Sequence, residues 1–157
     1  MTSAHDADEV VIPALLRAAR GTYALAIRAR LAGAGFEDVP RYGAFVLGGM
    51  VNHGAPLCGL VRELGISGQA AGQLTDTLVE RGYLERRGDP DDGQQVAIEV
   101  TDRGRAAAAA VRAGVGAIDA ELARMLSPAD LAGLRAGLVA LTEIRERMEA
   151  DRVERGW

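Results

Sequence analysis

Apolar residues recur at helical spacing along most of the chain. Between residues 9 and 33 they return every four positions, which predicts one long helix; these positions are Val11, Leu15, Ala19, Tyr23, Ile27 and Leu31. A second helix is predicted to begin at Pro40, because proline suits the first helical turn, and to end near Asn52. The residues from 53 to 56 then break it.

Two shorter helices and a hairpin follow. The helix over residues 57 to 64 is predicted to end at Gly65, and Ser67 to cap the next helix by accepting a backbone N–H. That helix is terminated by Gly82, and its inward face is formed by Ala70, Leu74 and Leu78. Residues 96 to 101 alternate between apolar and other side chains, which predicts a strand with one covered face.

Two long helices complete the pattern. After Gly104 the apolar positions step by four, three, four and three, as in a coiled-coil seam; they are Val111, Val115, Ile118, Leu122 and Met125. Ser127, Pro128 and Asp130 form a helix start, and the last helix carries Leu131, Leu134, Leu138, Leu141, Ile144 and Met148. The charged tail after Asp151 is expected to fray.

The order of elements predicts a mainly α fold with a small β-hairpin. Residues 40–104 form a winged helix-turn-helix, a DNA-reading unit, between long dimerisation helices at 9–35 and 105–150, in one domain over 1–157. The apolar seams are too long for a unit of that size to bury. Pairing with a second chain solves this, so we expect a homodimer; the alternative is a helix that folds back within one chain.

Composition narrows the class of protein. The 157 residues are 48% apolar but only 4% aromatic, which favours helices, and no apolar run is long enough to span a membrane. The acidic N-terminus lacks a signal peptide pattern, so a cytoplasmic protein is expected. Cys58 is the only cysteine. A lone cysteine at this place is expected to be a small buried side chain rather than a redox sensor. With neither a metal-ligand cluster nor a nucleophile–base pair, we expect no cofactor and no enzyme activity.

The segment from 81 to 104 carries a family resemblance. It contains Arg-Gly-Tyr-Leu-Glu-Arg at 81–86, Asp-Pro-Asp-Asp at 89–92 and Val-Thr-Asp-Arg-Gly at 100–104. In this order of elements the chain resembles the MarR family of bacterial transcriptional regulators over residues 10 to 148. The resemblance implies a triangular dimer whose winged units read a pseudo-palindromic operator in double-stranded DNA. It also implies a small-molecule pocket between the dimerisation helices and the winged unit.

The helix that would enter the major groove presents Gln69, Gly72, Gln73 and Asp76 outward when Leu74 faces inward. Gln can bond adenine through two atoms, so Gln69 and Gln73 are predicted base readers; the alternative is two solvated surface residues. Ser67 and Thr77 are predicted phosphate contacts, or else a cap and a surface hydroxyl. Gly68 and Gly72 weaken the helix, which suggests either close backbone approach to DNA or relaxed constraint.

The wing departs from the family pattern. The resemblance implies an Arg after the second Asp of the turn, where this chain has Gly93, followed by Gln94 and Gln95. Arg86 matches the family Arg that often pairs with the turn acid, whereas Arg87 is predicted to be freer and to contact phosphate. Residues 57–105 hold six Arg against nine Asp and Glu. Few phosphate contacts and a shallow salt dependence are therefore expected.

The implied pocket would hold a small aromatic or phenolic effector between cations and rings. The predicted lining residues are Arg20, Tyr23, Arg41, Tyr42 and Phe45, although Tyr42 and Phe45 could instead be core residues. Two functions thus remain open: a ligand-responsive DNA-binding regulator, or a small-molecule-binding or protein-interaction module that kept the fold and lost specific DNA reading.

Overall fold

The computed structural model describes residues 11–88 and 97–155. Its elements are α1 (Ile12–Gly33), α2 (Gly43–His53), α3 (Leu57–Glu63), α4 (Gly68–Glu80), β1 (Leu84–Arg87), β2 (Ala97–Val100), α5 (Asp102–Met125) and α6 (Pro128–Glu154). The chain divides into two compact units, one ending at Ile118 and the other beginning at Asp119. The mainly α fold with one small antiparallel hairpin confirms the predicted fold class.

Local signals in the winged unit do what the sequence predicts. Gly65 adopts a φ of +63°, which ends α3 in a conformation that glycine accepts readily. Ser67 precedes α4, and its Oγ accepts a hydrogen bond from the Ala70 N–H at 3.2 Å. Gly82 has a φ of +74° just after α4. The tight turn and the cap together fix where α4 begins.

The core of the first unit lies under α4 and the hairpin. Leu74 and Leu78 of α4 are buried with Tyr83 and Leu84, and they join Val46, Leu47, Ala107, Ala108 and Val111 in one cluster. In the hairpin Leu84 pairs with Val100 and Arg86 with Ile98, while Glu85 pairs with Glu99 and Arg87 with Ala97. Since side chains alternate along a strand, the first two pairs face the core and the last two face solvent.

A cap joins the hairpin to α5. The Thr101 hydroxyl donates to the Gly82 carbonyl at 2.6 Å and accepts from the Gly104 N–H at 3.0 Å. A Cβ on Gly104 would overlap the Tyr83 carbonyl oxygen. These contacts explain the Thr-x-x-Gly spacing, and they start α5 at Asp102 rather than after Gly104.

Helices α1 and α5 approach closely where Gly114 faces the backbone of α1. A Cβ on Gly114 would lie only 2.7 Å from the Ile27 Cα. Side chains of α1 near this contact are covered, since Leu31 is buried and Ile27 half-buried. Those at its N-terminal end, Val11, Ile12 and Leu15, are exposed. The N-terminal part of the predicted apolar face of α1 is therefore uncovered in the single chain.

The second unit consists of the end of α5 and the long helix α6. Ser127 caps α6, with its Oγ accepting from the Asp130 N–H at 3.2 Å, as predicted. No residue described in α6 is buried. Its apolar positions stand at 41–44% exposure at Leu134, Leu138, Leu141 and Ile144.

Several predicted details are corrected. Helix α2 begins at Gly43, because residues 40–43 form a turn closed by the Gly43 N–H and the Pro40 carbonyl at 2.8 Å. Helix α6 continues past Asp151 to Glu154, because its Arg155 cap bonds back to Asp151. Cys58 is exposed rather than buried, because it lies on the outer side of α3. Val96 and residues 9–10 lie outside the described residues. In the described ranges no helix is long and apolar enough to cross a membrane.

Candidate nucleic-acid interface

Helix α4 has a buried face and a polar exposed face. Leu74 and Leu78 are buried and Ala70 is half-buried, so the opposite side of the helix is turned to solvent. That side carries Gln69, Gly72, Gln73 and Asp76, all exposed, as the sequence predicts. Thr77 is half-buried, and its hydroxyl donates to the Gln73 carbonyl at 2.7 Å. Ser67 is occupied as the helix cap, which is the structural alternative stated for it.

The two glycines of α4, Gly68 and Gly72, are not required by packing against any described residue. A Cβ on Gly68 or on Gly72 would meet no atom within 4 Å among the described residues. Both have ordinary helical backbone, since neither shows a positive φ. Close internal packing is thereby removed as an explanation for them, and the choice between DNA approach and relaxed constraint remains.

An ion pair links α4 to the hairpin. Arg86 lies on the inner face of β1, and its Nη2 meets the Asp76 carboxylate of α4 at 2.5 Å. The two side chains are 48% and 67% exposed. Arg86 thus has the structural role implied for it, but with Asp76 as its partner; the turn acids at 89–92 lie outside the described residues. This pair fixes the hairpin beside the outward face of α4.

Arg87 does not have the freedom predicted for it. Its Nη2 lies 2.9 Å from Glu85 Oε1, and its Nε lies 3.2 Å from Glu99 Oε2. The prediction that Arg87 is the freer wing cation is wrong, because Glu85 and Glu99 are cross-strand partners on the same face and both hold it. Gln94 and Gln95, the other predicted wing contacts, and Gly93 lie outside the described residues.

Most arginines near the interface already have acceptors. Of the six in residues 57–105, Arg81 donates to the Asp38 carbonyl, Arg103 to the Asp38 carboxylate and Arg105 to Asp102, while Arg86 and Arg87 form the pairs above. Within residues 11–88 and 97–155, Arg62 on α3 is the remaining one, and it is exposed. Sequence reasoning counted Arg62 only as charge. Its place on the first helix of the pair could have marked it as a phosphate contact.

A partly exposed junction of Tyr83, Asp38 and Arg103 positions the winged unit on the loop between α1 and α2. The Tyr83 hydroxyl donates to the Asp38 carboxylate, and Arg103 Nη2 contacts that carboxylate at 3.0 and 3.2 Å. The Arg103 guanidinium lies 4.6 Å from the Tyr83 ring centroid and 5.5 Å from that of Phe36. One cation thus joins the loop, the start of β1 and the start of α5. Sequence reasoning missed this junction, since its members are far apart along the chain.

The junction shifts the pKa values of Asp38 and Tyr83 in opposite directions. The hydrogen bond from Tyr83, with the Arg103 charge assisting, holds the pKa of Asp38 below its ordinary value although partial desolvation opposes the shift. Burial, together with the bond to the Asp38 carboxylate, raises the pKa of Tyr83 to about 12. At neutral pH the junction therefore holds a carboxylate, a neutral phenol and a guanidinium.

The residues predicted to line an effector pocket differ in how far they are buried. The Arg41 guanidinium lies 5.3 Å from the Tyr42 ring centroid, and Tyr42 is half-buried against the core. Phe45 is 43% exposed, Tyr23 half-buried and Arg20 exposed. A surface groove of about 370 Å³ lies elsewhere in the first unit, lined by Met50, Val51, Glu99, Val100 and Arg105. The described part of the chain holds no group of three metal-ligating side chains.

The sequence profile of the MarR family matches residues 46–95, which begin within α2 and end before β2. Over these residues the chain is similar to the MarR family. No curated protein matches the chain in sequence. Solved structures match its fold over most of its length.

Three of those structures illustrate the similarity. Rv1404 from Mycobacterium tuberculosis is 26% identical, with 91% of this chain and 94% of that one aligned at a TM-score of 0.61. The MarR family protein Rv2887 from the same organism, in complex with salicylic acid, is 24% identical, with coverages of 86% and 98% and a TM-score of 0.58. FabT from Streptococcus pneumoniae, in complex with DNA, is 19% identical, with coverages of 87% and 96% and a TM-score of 0.70. At under 25% identity, the last two show the shared fold.

Proposed function

We propose that the chain is a transcriptional regulator that binds a pseudo-palindromic operator as a homodimer and responds to a small aromatic ligand. The proposal rests on the structure of helix α4. Its N-terminus is capped, its inner face is buried, and its outer face presents two exposed Gln side chains one turn apart. A helix of this kind enters the major groove by its first turns.

Gln69 and Gln73 are the proposed base readers, each able to bond adenine N6 and N7. Arg62 on the preceding helix is a proposed phosphate contact, since it is exposed and holds no acceptor in the described ranges. The backbone N–H groups at the start of α4 add a second means of binding phosphate that needs no cation.

The homodimer is supported by uncovered apolar surface at both ends of the chain. Val11, Ile12, Leu15 and Leu16 of α1 are exposed. The apolar side chains of α6 are also exposed, although they repeat at a spacing suited to helix packing. A second copy covering these faces would remove them from water, and its twofold symmetry would match a pseudo-palindromic site.

A ligand can change operator affinity by changing the spacing of the two recognition helices in the dimer. Two recognition helices must lie about 34–36 Å apart to enter successive major grooves. A ligand that favours another spacing lowers operator affinity by its differential affinity for the two states. A relative was solved with salicylic acid, and Arg41 beside Tyr42 offers a cation and a ring for a similar aromatic acid.

The test is fluorescence anisotropy with duplex DNA that flanks the gene encoding the chain, in competition with unrelated duplex. We expect preferential binding to one duplex, and Gln73→Ala to remove roughly 1–3 kcal/mol of that preference. Thr142→Ala, which changes an exposed polar residue of α6, is the matched control and should bind like the wild type. Equal affinity for all duplexes would refute operator reading.

A second function is favoured by one observation. Five of the six arginines in residues 57–105 are already held by acceptors within the protein. A chain that kept the fold but acts as a small-molecule-binding or protein-interaction module would show this internal pairing. It would bind salicylate or a protein partner with no sequence preference in the anisotropy experiment.

A further inference from the structure

Among the described residues of the hairpin, one face makes no contact with the core. Glu85 and Glu99 lie directly opposite each other, and Arg87 follows on the same face two residues beyond Glu85. We call Glu85, Arg87 and Glu99 the outer wing triad. Its side chains are 43%, 64% and 48% exposed, so solvent and any bound polyanion can reach all three.

The triad explains why Arg87 is held. Two carboxylates directly opposite each other on a strand pair repel. The Arg87 guanidinium offsets this, bonding Glu85 Oε1 through Nε at 3.0 Å and Nη2 at 2.9 Å while Nε also meets Glu99 Oε2 at 3.2 Å. The hydrogen bond that Arg87 donates to Glu85 and the adjacent charge of Glu99 raise the pKa of Arg87. The triad carries a net charge of one negative unit.

Arg87 is also the last residue of β1 and therefore lies at the turn end of the hairpin. The ion pair between Arg86 and Asp76 holds that strand beside the outward face of α4. A phosphate group near the wing would thus meet Arg87 together with its two carboxylates. Contact with phosphate requires Arg87 to exchange them, and two unneutralised carboxylates would then remain near the DNA backbone.

We propose that Glu85 and Glu99 form an electrostatic clamp that competes with DNA phosphate for Arg87 and so limits both the affinity and the salt dependence of DNA binding. This inference rests on the proposed function. Glu99 is the more informative member for mutation, since it belongs to the other strand and reaches Arg87 only through the side-chain contact. Exposed ion pairs exchange at low cost, so the clamp weakens binding without abolishing it.

The experiment measures equilibrium binding of full-length variants to the duplex that the wild type prefers, across a salt series. Glu99→Gln should tighten binding by about two- to fivefold, the range set by exposed ion pairs. The salt slope should steepen by about 0.9 for each wing that gains a phosphate contact. Glu80→Gln, which removes the same charge from the end of α4, is the control for net charge and should leave the slope unchanged.

A double-mutant cycle isolates the clamp from general electrostatics. In an Arg87→Gln background, Glu99→Gln should gain no more affinity than Glu80→Gln does. The clamp is overturned if Glu99→Gln and Glu80→Gln are equal in the wild-type background, or if the gain persists without Arg87. A wild type that binds every duplex equally would refute operator reading, whereas the cycle can still be read on that nonspecific complex. Absence of any DNA complex at low salt would overturn both proposals.

Discussion

At the scale of single residues, glycines in α5 differ in what surrounds them. Gly114→Ala would place a Cβ 2.7 Å from the Ile27 Cα, whereas a Cβ on Gly116 would meet no atom of the described residues within 4 Å. We expect Gly114→Ala to lower the free energy of unfolding by about 1–3 kcal/mol, as overpacking does. Gly116→Ala should raise it by about 1 kcal/mol through helix propensity. Urea denaturation at one fixed protein concentration measures both; equal effects would mean that α1 and α5 are not in close contact.

The Asp38 junction predicts a pH-dependent term in stability. Because the folded pKa of Asp38 lies below the unfolded one, its stabilisation is complete above the ordinary Asp pKa and is lost as pH falls through the folded pKa. Asp38→Asn should therefore be less stable than wild type at pH 7, with the difference shrinking below about pH 4. Denaturation midpoints across pH measure this. Glu37→Gln, in the same loop, is the control, and a difference that stayed constant with pH would contradict the assignment.

At the scale of elements, α4 carries two glycines, Gly68 and Gly72, at positions where no described residue would crowd a larger side chain. A Cβ on Gly72 would meet nothing within 4 Å, so Gly72→Ala should stabilise the protein by about 1 kcal/mol. If the backbone there approaches DNA closely, the same variant should bind operator more weakly. Thermal unfolding and anisotropy on one preparation measure both. Gly116 has similar open space around it but lies on α5, so Gly116→Ala should stabilise the protein without weakening operator binding. Unchanged affinity in Gly72→Ala would favour relaxed constraint.

Elements set by local signals could be predicted from the sequence, whereas contacts between distant residues could not. The exposed face of α4 follows from the spacing of Leu74 and Leu78, and its start follows from Ser67. The start of α2 was misplaced because a proline that fits a first helical turn also fits the turn before a helix. The pairing of Arg87 was missed because it depends on strand register, which puts Glu99 beside it. The partner of Arg86 depends on how α4 packs against β1.

At the scale of the whole molecule, the exposed apolar positions of α6 predict assembly. Leu138 is 41% exposed on a helix without any buried described residue. Leu138→Glu should shift sedimentation from dimer toward monomer and reduce operator affinity, since a monomer presents one recognition helix. Arg135→Glu, which also places a Glu on α6, should remain dimeric. A wild-type chain that sediments as a monomer at all concentrations would contradict the proposed dimer.

Operator reading is proposed here for a winged helix-turn-helix chain with few available cations. It is tested most directly by anisotropy of the wild type on duplex that flanks the gene encoding it, from low to physiological salt. We predict a sequence-specific complex at low salt whose salt slope corresponds to fewer than about eight phosphate contacts per dimer. The absence of a sequence-specific complex at low salt would contradict operator reading, and a steeper slope would contradict the internal pairing of the arginines as the limit on affinity.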